Sequence, residues 1–352
     1  MDSLSQIVLG GAVAAVVVAP GHRRAALLAG AALGTLPDLD SFPIALFTKD
    51  PVALMTWHRS LTHSLLVLPF VAWTIWAFFR RRGGRVAAAP RAWFWAILLA
   101  LVTHPLLDAF TVYGTQLWWP LPPAPTMWSS VFIIDPLYTV WLLIACVIAW
   151  AVPRRPLAQG ALVAGLVLST GYLAWSLVAK TMVERAAEAA LAPLGLAQAP
   201  RFSVPMPFNT LLWRVVAMTP EGYVIGDRSL VADRGPMRFA AHTSDGAALQ
   251  AVADLPAVQR LGWFNHGFMR AQVRPAAAPA GAEALVLSDL RMGLEPAYTF
   301  NFAVAQRDVG GAWQALAPPP GASAGPGPTL SREGVGALWR AVWQRIWHAP
   351  AT

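Results

Sequence analysis

Residues 92–110 read AWFWAILLALVTHPLLDAF. The run carries no charge before Asp108 and has the roughly 20-residue length that crosses a bilayer as a helix. Near its end stand His104 and Asp108, spaced i and i+4, so a helix projects both from one face. Ionisable groups this close to hydrocarbon are costly, and they usually mark function. This stretch therefore predicts a membrane helix that presents two metal-ligand types at one end.

Five further apolar segments flank it, at 4–19, 25–36, 64–79, 131–152 and 157–179. The segments at 92–110, 131–152 and 157–179 have the length of full spans; 64–79 is close to it, and the first two are short. Ser3-Leu4-Ser5-Gln6 has the pattern of a helix-starting capping box. Composition agrees: of 352 residues 56% are hydrophobic and 12% charged, against about a quarter charged in ordinary soluble domains. The expected fold is an all-α polytopic membrane bundle of about six segments, followed by a small α+β domain outside the membrane. The domains are expected at 1–185 and 200–352.

The net charge of +8 is almost all arginine. These arginines gather in short loops, so membrane topology explains them and nucleic-acid binding does not. Arg23 and Arg24, then Arg80, Arg81, Arg82, Arg85 and Arg91, then Arg154 and Arg155 fill alternate loops. The positive-inside rule puts those loops in the cytoplasm and both termini outside, in a protein of the inner membrane. Trp57, Trp118, Trp119 and Trp128 flank segment ends on the outer side, as interfacial aromatics do. The first residues lack a basic region and a cleavage site, so no removable signal peptide is expected. Cys146 is the sole cysteine and lies in an apolar run, where an inert buried thiol is expected.

Beyond about residue 190 the texture changes. LLWRVVAMT and GYVIGDRSLVA read as strands around a Pro220-Glu221 turn. MRFAAH, ALVLSDLRM and AYTFNFAVA read as further strands. DGAALQAVADLPAVQRLGWF reads as one helix starting at Asp245, APPPGASAGPGPT as a linker, and REGVGALWRAVWQRIWH as an amphipathic helix.

Three histidines stand beside carboxylates in the apolar half. Asp38 and Asp40 follow the second segment, His58 and His63 precede the third, His104 and Asp108 end the fourth, and Asp135 opens the fifth. The charge-derived topology brings all of them to the outer face. Neutral imidazole and carboxylate are normal ligands of zinc and related divalent ions. The metal candidates are Asp38, Asp40, His58, His63, His104 and Asp108. Taken singly, a histidine at a helix end is more often a cap or a hydrogen-bonded interface residue. Asp135 before Pro136 equally fits an N-cap with proline at the first helical position. The shared face favours a metal site over isolated caps. His242, His266 and His348 show no ligand spacing.

MDSLSQIVLGGAV, GTLPDLD, HRSLTHSLL, HPLLDAFTVYGTQLWWP and FIIDPLY occur in this order and resemble the membrane-bound metal-dependent hydrolases of the YdjM type. The resemblance covers about residues 1–180. It implies a helical metal-dependent hydrolase distantly similar to zinc-dependent phospholipase C, with the six candidates as its metal site. Gln6 stands where many relatives carry histidine, and Ser60 replaces a glycine.

The expected function is hydrolysis of an ester or phosphoester at the outer membrane face, with a divalent ion, zinc by ligand type. The substrate is expected to be a membrane lipid headgroup or a lipid-linked molecule. Asp40 or Asp135 is the candidate general base, and Arg59 the candidate holder of an anionic group. The alternative is a non-catalytic membrane protein with a structural or transport metal site and a partner-binding outer domain. A polar network without metal is the third reading.

Overall fold

The computed structural model describes residues 1–276, 281–316 and 332–350. The chain divides into two compact units. The first holds Met1–Pro43, His58–Val178 and Pro207–Asn209; the second holds Ile44–Trp57, Ala179–Met206 and Thr210–Thr352.

The first unit is helical. Its leading pair is α1 (Ser3–Val17) and α2 (Arg23–Thr35), followed by a short 3₁₀ turn at Leu36–Asp40 and by α3 (Ser41–Phe47), whose later residues pass into the second unit. Asp2 caps α1, its carboxylate accepting from the Ser5 N–H at 3.1 Å. After α4 (Pro51–Trp57, in the second unit) come α5 (Leu68–Arg81), α6 (Gly84–Ala88), α7 (Pro90–Ala109), α8 (Pro136–Ala151) and α9 (Pro156–Leu191). The core is built from Val8, Ala12 and Ala15 of α1, Ala26 of α2, Trp93, Ala96, Ala100 and Leu107 of α7, Tyr138, Leu142 and Ala145 of α8, and Leu162 of α9. Alanine is its commonest residue, which lets helix backbones approach closely.

Among the described residues two helices are long and apolar enough to cross a membrane, Pro90–Ala109 and Pro156–Leu194, with a third if the bent pair Pro51–His63 and Leu68–Arg81 is one span. The expectation of about six segments is therefore corrected. The segments at 4–19 and 25–36 fold as helices of 15 and 13 residues. The segment at 131–152 yields only the 16-residue α8, about 24 Å long against a hydrocarbon core of about 30 Å. The reason is local: Asp135 and Pro136 start the helix there, and the residues before them are irregular.

The three basic loops meet at one end of this unit. Arg23 donates to the Pro153 carbonyl and to Gln159 Oε1, Arg24 Nε to the Trp150 carbonyl at 2.8 Å, and Arg85 to the Gly21 carbonyl at 3.3 Å. His104 and Asp108 lie near the opposite end of α7.

The second unit is α+β. Strands β1 (Arg201–Pro205), β2 (Leu212–Thr219), β3 (Gly222–Ser229) and β4 (Ala240–Thr243) form an antiparallel meander in sequence order. Thr219 pairs with Gly222, which makes Pro220-Glu221 the turn expected from the sequence. Next come α10 (Gly246–Ala251), capped by Asp245, and α11 (Pro256–Phe264). The single helix expected here breaks at Pro256, because proline disfavours helical geometry in the residue before it and is at home in a helix's first turn. Then follow β5 (Met269–Pro275), β6 (Ala282–Asp289), the ribbon β7 (Gly293–Leu294) with β8 (Ala297–Tyr298), β9 (Asn301–Asp308) and β10 (Gln314–Ala315). The second antiparallel sheet has the order β10-β9-β6-β5. The expected linker APPPGASAGPGPT lies outside the described residues. Helix α12 (Arg332–Trp347) sets Val342 and Ile346 against Met206 and Leu212. Strands β1 and β5 escaped the sequence reading, since charged or polar residues interrupt both.

Candidate metal centre

Four side chains of the first unit converge. Asp38 comes from the 3₁₀ turn after α2, His63 from the short turn Leu61–His63 before α5, and His104 and Asp108 from the last turns of α7. One ligand atom from each lies within 4.8 Å of all the others, and together they could hold a metal ion. His63, His104 and Asp108 are buried, and Asp38 keeps 24% of its side chain exposed, so the group opens on the Asp38 side.

Hydrogen bonds at the far side of each ring fix what the near side offers. His104 Nδ1 lies 2.6 Å from the Gly34 carbonyl, which can only accept, so Nδ1 carries the proton. Thr62 Oγ1 donates to Asp40 Oδ2 at 2.8 Å and therefore accepts from His63 Nδ1 at 3.0 Å. In their neutral forms the two rings turn bare Nε2 lone pairs inward, 3.1 Å apart. Asp38 Oδ1 stands 3.3 Å from His63 Nε2 and 3.4 Å from His104 Nε2. Asp108 Oδ2 stands 3.3 and 3.5 Å from the same two nitrogens. Neither oxygen has a hydrogen-bond partner among the described residues, although both are buried.

Four facing lone pairs, two of them anionic, repel unless positive charge sits between them. A proton bridges two such atoms; a divalent cation satisfies all four. Five of the six ligand-to-ligand distances span 3.1 to 3.5 Å, and the sixth, between the two carboxylates, lies within 4.8 Å. The group could hold a metal ion.

Asp40 and His58 stand one layer out from the four converging residues. His58 Nδ1 bonds Asp40 Oδ1 at 2.6 Å, and His58 Nε2 is 3.9 Å from Asp38 Oδ1. Asp40 also accepts from Thr62 and from the Arg59 backbone N–H at 3.2 Å. Burial pushes the Asp40 carboxyl up, but His58 and Thr62 outweigh it and hold it below the usual range. Likewise burial pushes Asp38 up, while the neighbouring His104 and His63 rings hold it well below that range.

Arg59 sits at φ +61°, a left-handed conformation that costs a non-glycine residue about 1–2 kcal/mol. Its N–H is held by Asp40 and its carbonyl by the Gln116 N–H at 3.0 Å. The buried guanidinium places Nε 3.2 Å from Asp108 Oδ2 and lies 4.9 Å over the Tyr113 ring. Asp108 Oδ1 accepts from the Met1 amino group and from Gln6 Nε2, the latter at 3.0 Å.

Asp135 has other work. It caps α8, accepting from the N–H of Leu137 and Tyr138, and takes the Tyr172 hydroxyl at 2.9 Å. Its N-cap reading is the one the geometry displays, and burial raises its carboxyl despite those donors.

Comparison with known sequences adds the setting. Residues 1–183, more than half the chain, match the family described as YdjM inner membrane protein. The chain belongs to this family. The match ends in α9, so it covers the four converging residues and leaves most of the second unit outside. No curated protein and no solved structure gives a significant match. The YdjM description names a membrane and no reaction.

Thr62, the Gly34 carbonyl and the Met1 amino group were not singled out from sequence. Thr62 had a weak signal, a hydroxyl adjoining a candidate ligand; a carbonyl has none. Outer partners of a ligating histidine typically change metal affinity 10–100-fold when removed. Thr62→Val is therefore expected to weaken zinc binding by about that factor while the protein stays folded. A chelator-competition titration checks it, and unchanged affinity would refute the relay from Asp40 to His63.

Proposed function

We propose that this YdjM-family protein is a membrane-bound metal-dependent hydrolase of an ester or phosphoester, carried by a lipid headgroup or a lipid-linked molecule. The observation that carries the reading is the convergence of four inward lone pairs, with both imidazole tautomers fixed from behind, beside a buried arginine. We take the ion to be zinc, for which imidazole and carboxylate are usual ligands. Bound there, it would polarise the scissile group and acidify a water.

The chain's own residues do the rest. Arg59 supplies a guanidinium for an anionic group, a geometry suited to phosphate. Asp40 already takes three donors, so its role is to orient, and it fixes the proton on His58 Nδ1. His58 Nε2 then faces the exposed side beside Asp38, placed to accept or return a proton. Asp135, engaged as a cap, is not assigned a catalytic role. The basic loops at the opposite end of the unit support a cytoplasmic side there and a periplasmic side at the metal centre.

One observation favours the non-catalytic alternative. Four protein ligands can close a tetrahedral sphere, as in structural zinc sites, whereas catalytic sites keep a position open. The exposed edge at Asp38 is where the hydrolase reading needs that opening. Elemental mass spectrometry on purified wild type, His63→Ala and His104→Ala tests the centre. Stoichiometric metal in wild type and its loss in both variants is the expected result. Metal-dependent cleavage of a phosphoester panel then separates the two readings. Full metal content in either variant would defeat both.

A further inference from the structure

Apolar side chains interleave with the polar ones of the metal centre. The 3₁₀ turn Leu36–Asp40 repeats every three residues, so Leu36 and Leu39 stack on one face. Phe42 continues that spacing into α3. These three are exposed at 40%, 46% and 73%, while Asp40 between them is buried. Leu61, between buried Arg59 and buried His63, is likewise exposed at 47%. A water-facing loop would spend polar residues at such positions. Here each segment that sends a polar group inward turns a large apolar one outward.

Depth identifies what meets this rim. Helix Pro90–Ala109 is a candidate span, about 30 Å long and matched to the hydrocarbon core. His104 and Asp108 lie five residues and one residue from its last residue, Ala109, so the centre sits within about 8 Å of that boundary. Leu61 and His63 belong to the bent candidate span Pro51–His63 with Leu68–Arg81. With Pro90–Ala109 taken as a span, the rim falls near the boundary where acyl chains meet headgroups.

We infer that the rim formed by Leu36, Leu39, Phe42 and Leu61 seats the acyl chains of a bilayer phospholipid whose phosphate reaches Arg59 and the metal centre. This rests on the hydrolase reading and names its substrate class and route: the lipid enters sideways from the membrane. Arg59, already paired with Asp108, adds N–H donors beside the centre for the phosphate, and the exposed side of Asp38, flanked by Leu36 and Leu39, supplies the way in.

The test uses the full chain in nanodiscs containing phosphatidylethanolamine with a photoreactive diazirine in the acyl chain. Crosslinks to residues 36–42 are quantified by mass spectrometry in zinc-loaded wild type, in wild type stripped with chelator, and in His63→Ala. A several-fold fall on stripping and in His63→Ala is expected, because a headgroup held at the centre anchors the chains beside it. Equal crosslinking in all three would make the stripe an ordinary lipid-facing surface and overturn the inference while leaving the metal centre standing. A wild type that takes up no zinc would overturn the hydrolase reading and this one with it. Depth is read independently from a nitroxide on F42C in a Cys146→Ala background. Greater relaxation by oxygen than by a water-soluble nickel chelate is expected, and the reverse order would place the rim in water and defeat the inference.

Discussion

Asp108→Ala is expected to abolish metal binding and to lower stability by about 3–5 kcal/mol, the range for removing one partner of a buried ion pair. Asp108 is fully buried and meets Arg59, the Met1 amino group, Gln6, His63 and His104. Without it, the buried Arg59 guanidinium faces the histidines with its countercharge gone. His104→Ala also loses the metal but leaves the Arg59–Asp108 pair intact, so it should cost less, about 1–3 kcal/mol for the truncated hydrogen bonds. The double change Asp108→Leu with Arg59→Leu removes both charges. It should recover much of the stability lost in Asp108→Leu alone while binding no metal. Thermal unfolding in detergent, run beside elemental analysis, reads both quantities. Metal retained in Asp108→Ala, or no recovery in the double variant, would show that the carboxylate does not hold these charges together.

Much of this candidate centre could be read from sequence because its four residues come from short motifs at helix ends. The i,i+4 spacing of His104 and Asp108 on one apolar helix survives folding unchanged, since a helix fixes it locally. The basic loops do gather: Arg23, Arg24 and Arg85 contact neighbouring segments at the end away from the candidate centre. What failed was the step from apolar run to span. Residues 131–152 are apolar enough, but the cap formed by Asp135 and Pro136 shortens the helix to 16 residues, and hydropathy does not register a cap. Rank among the ligands was also illegible. His58 and His63 look alike in HRSLTHS, and only the left-handed turn at Arg59 and the Asp40 hub separate an inward ring from an outer one.

The same limit applies to Gly30, which looks like ordinary membrane-helix composition and yet governs the centre from a distance. A Cβ on Gly30 would stand 2.1 Å from the Gly10 carbonyl and 2.6 Å from Ala14 Cβ, and one on Gly34 would stand 2.4 Å from the Gln6 carbonyl. Gly30 and Gly34 form a small-xxx-small pair, and through it α1 and α2 touch backbone to backbone. The Gly34 carbonyl orients His104, and Gln6 holds Asp108, so the helix contact sets two ligands at once. In an unconstrained helix, alanine is favoured over glycine by about 0.8–1.0 kcal/mol. Gly30→Ala is nevertheless expected to destabilise by about 1–3 kcal/mol, since overpacking here moves backbone rather than a flexible side chain. Zinc affinity should fall with it by about 10–100-fold, the loss typical when a ligand's support is displaced. Gly171→Ala is the control: a Cβ there meets nothing within 4 Å, so the variant should bind zinc as wild type does and be no less stable, gaining up to about 0.8–1.0 kcal/mol. If Gly30→Ala behaved like Gly171→Ala, the close approach of α1 and α2 would not be what positions His104 and Asp108.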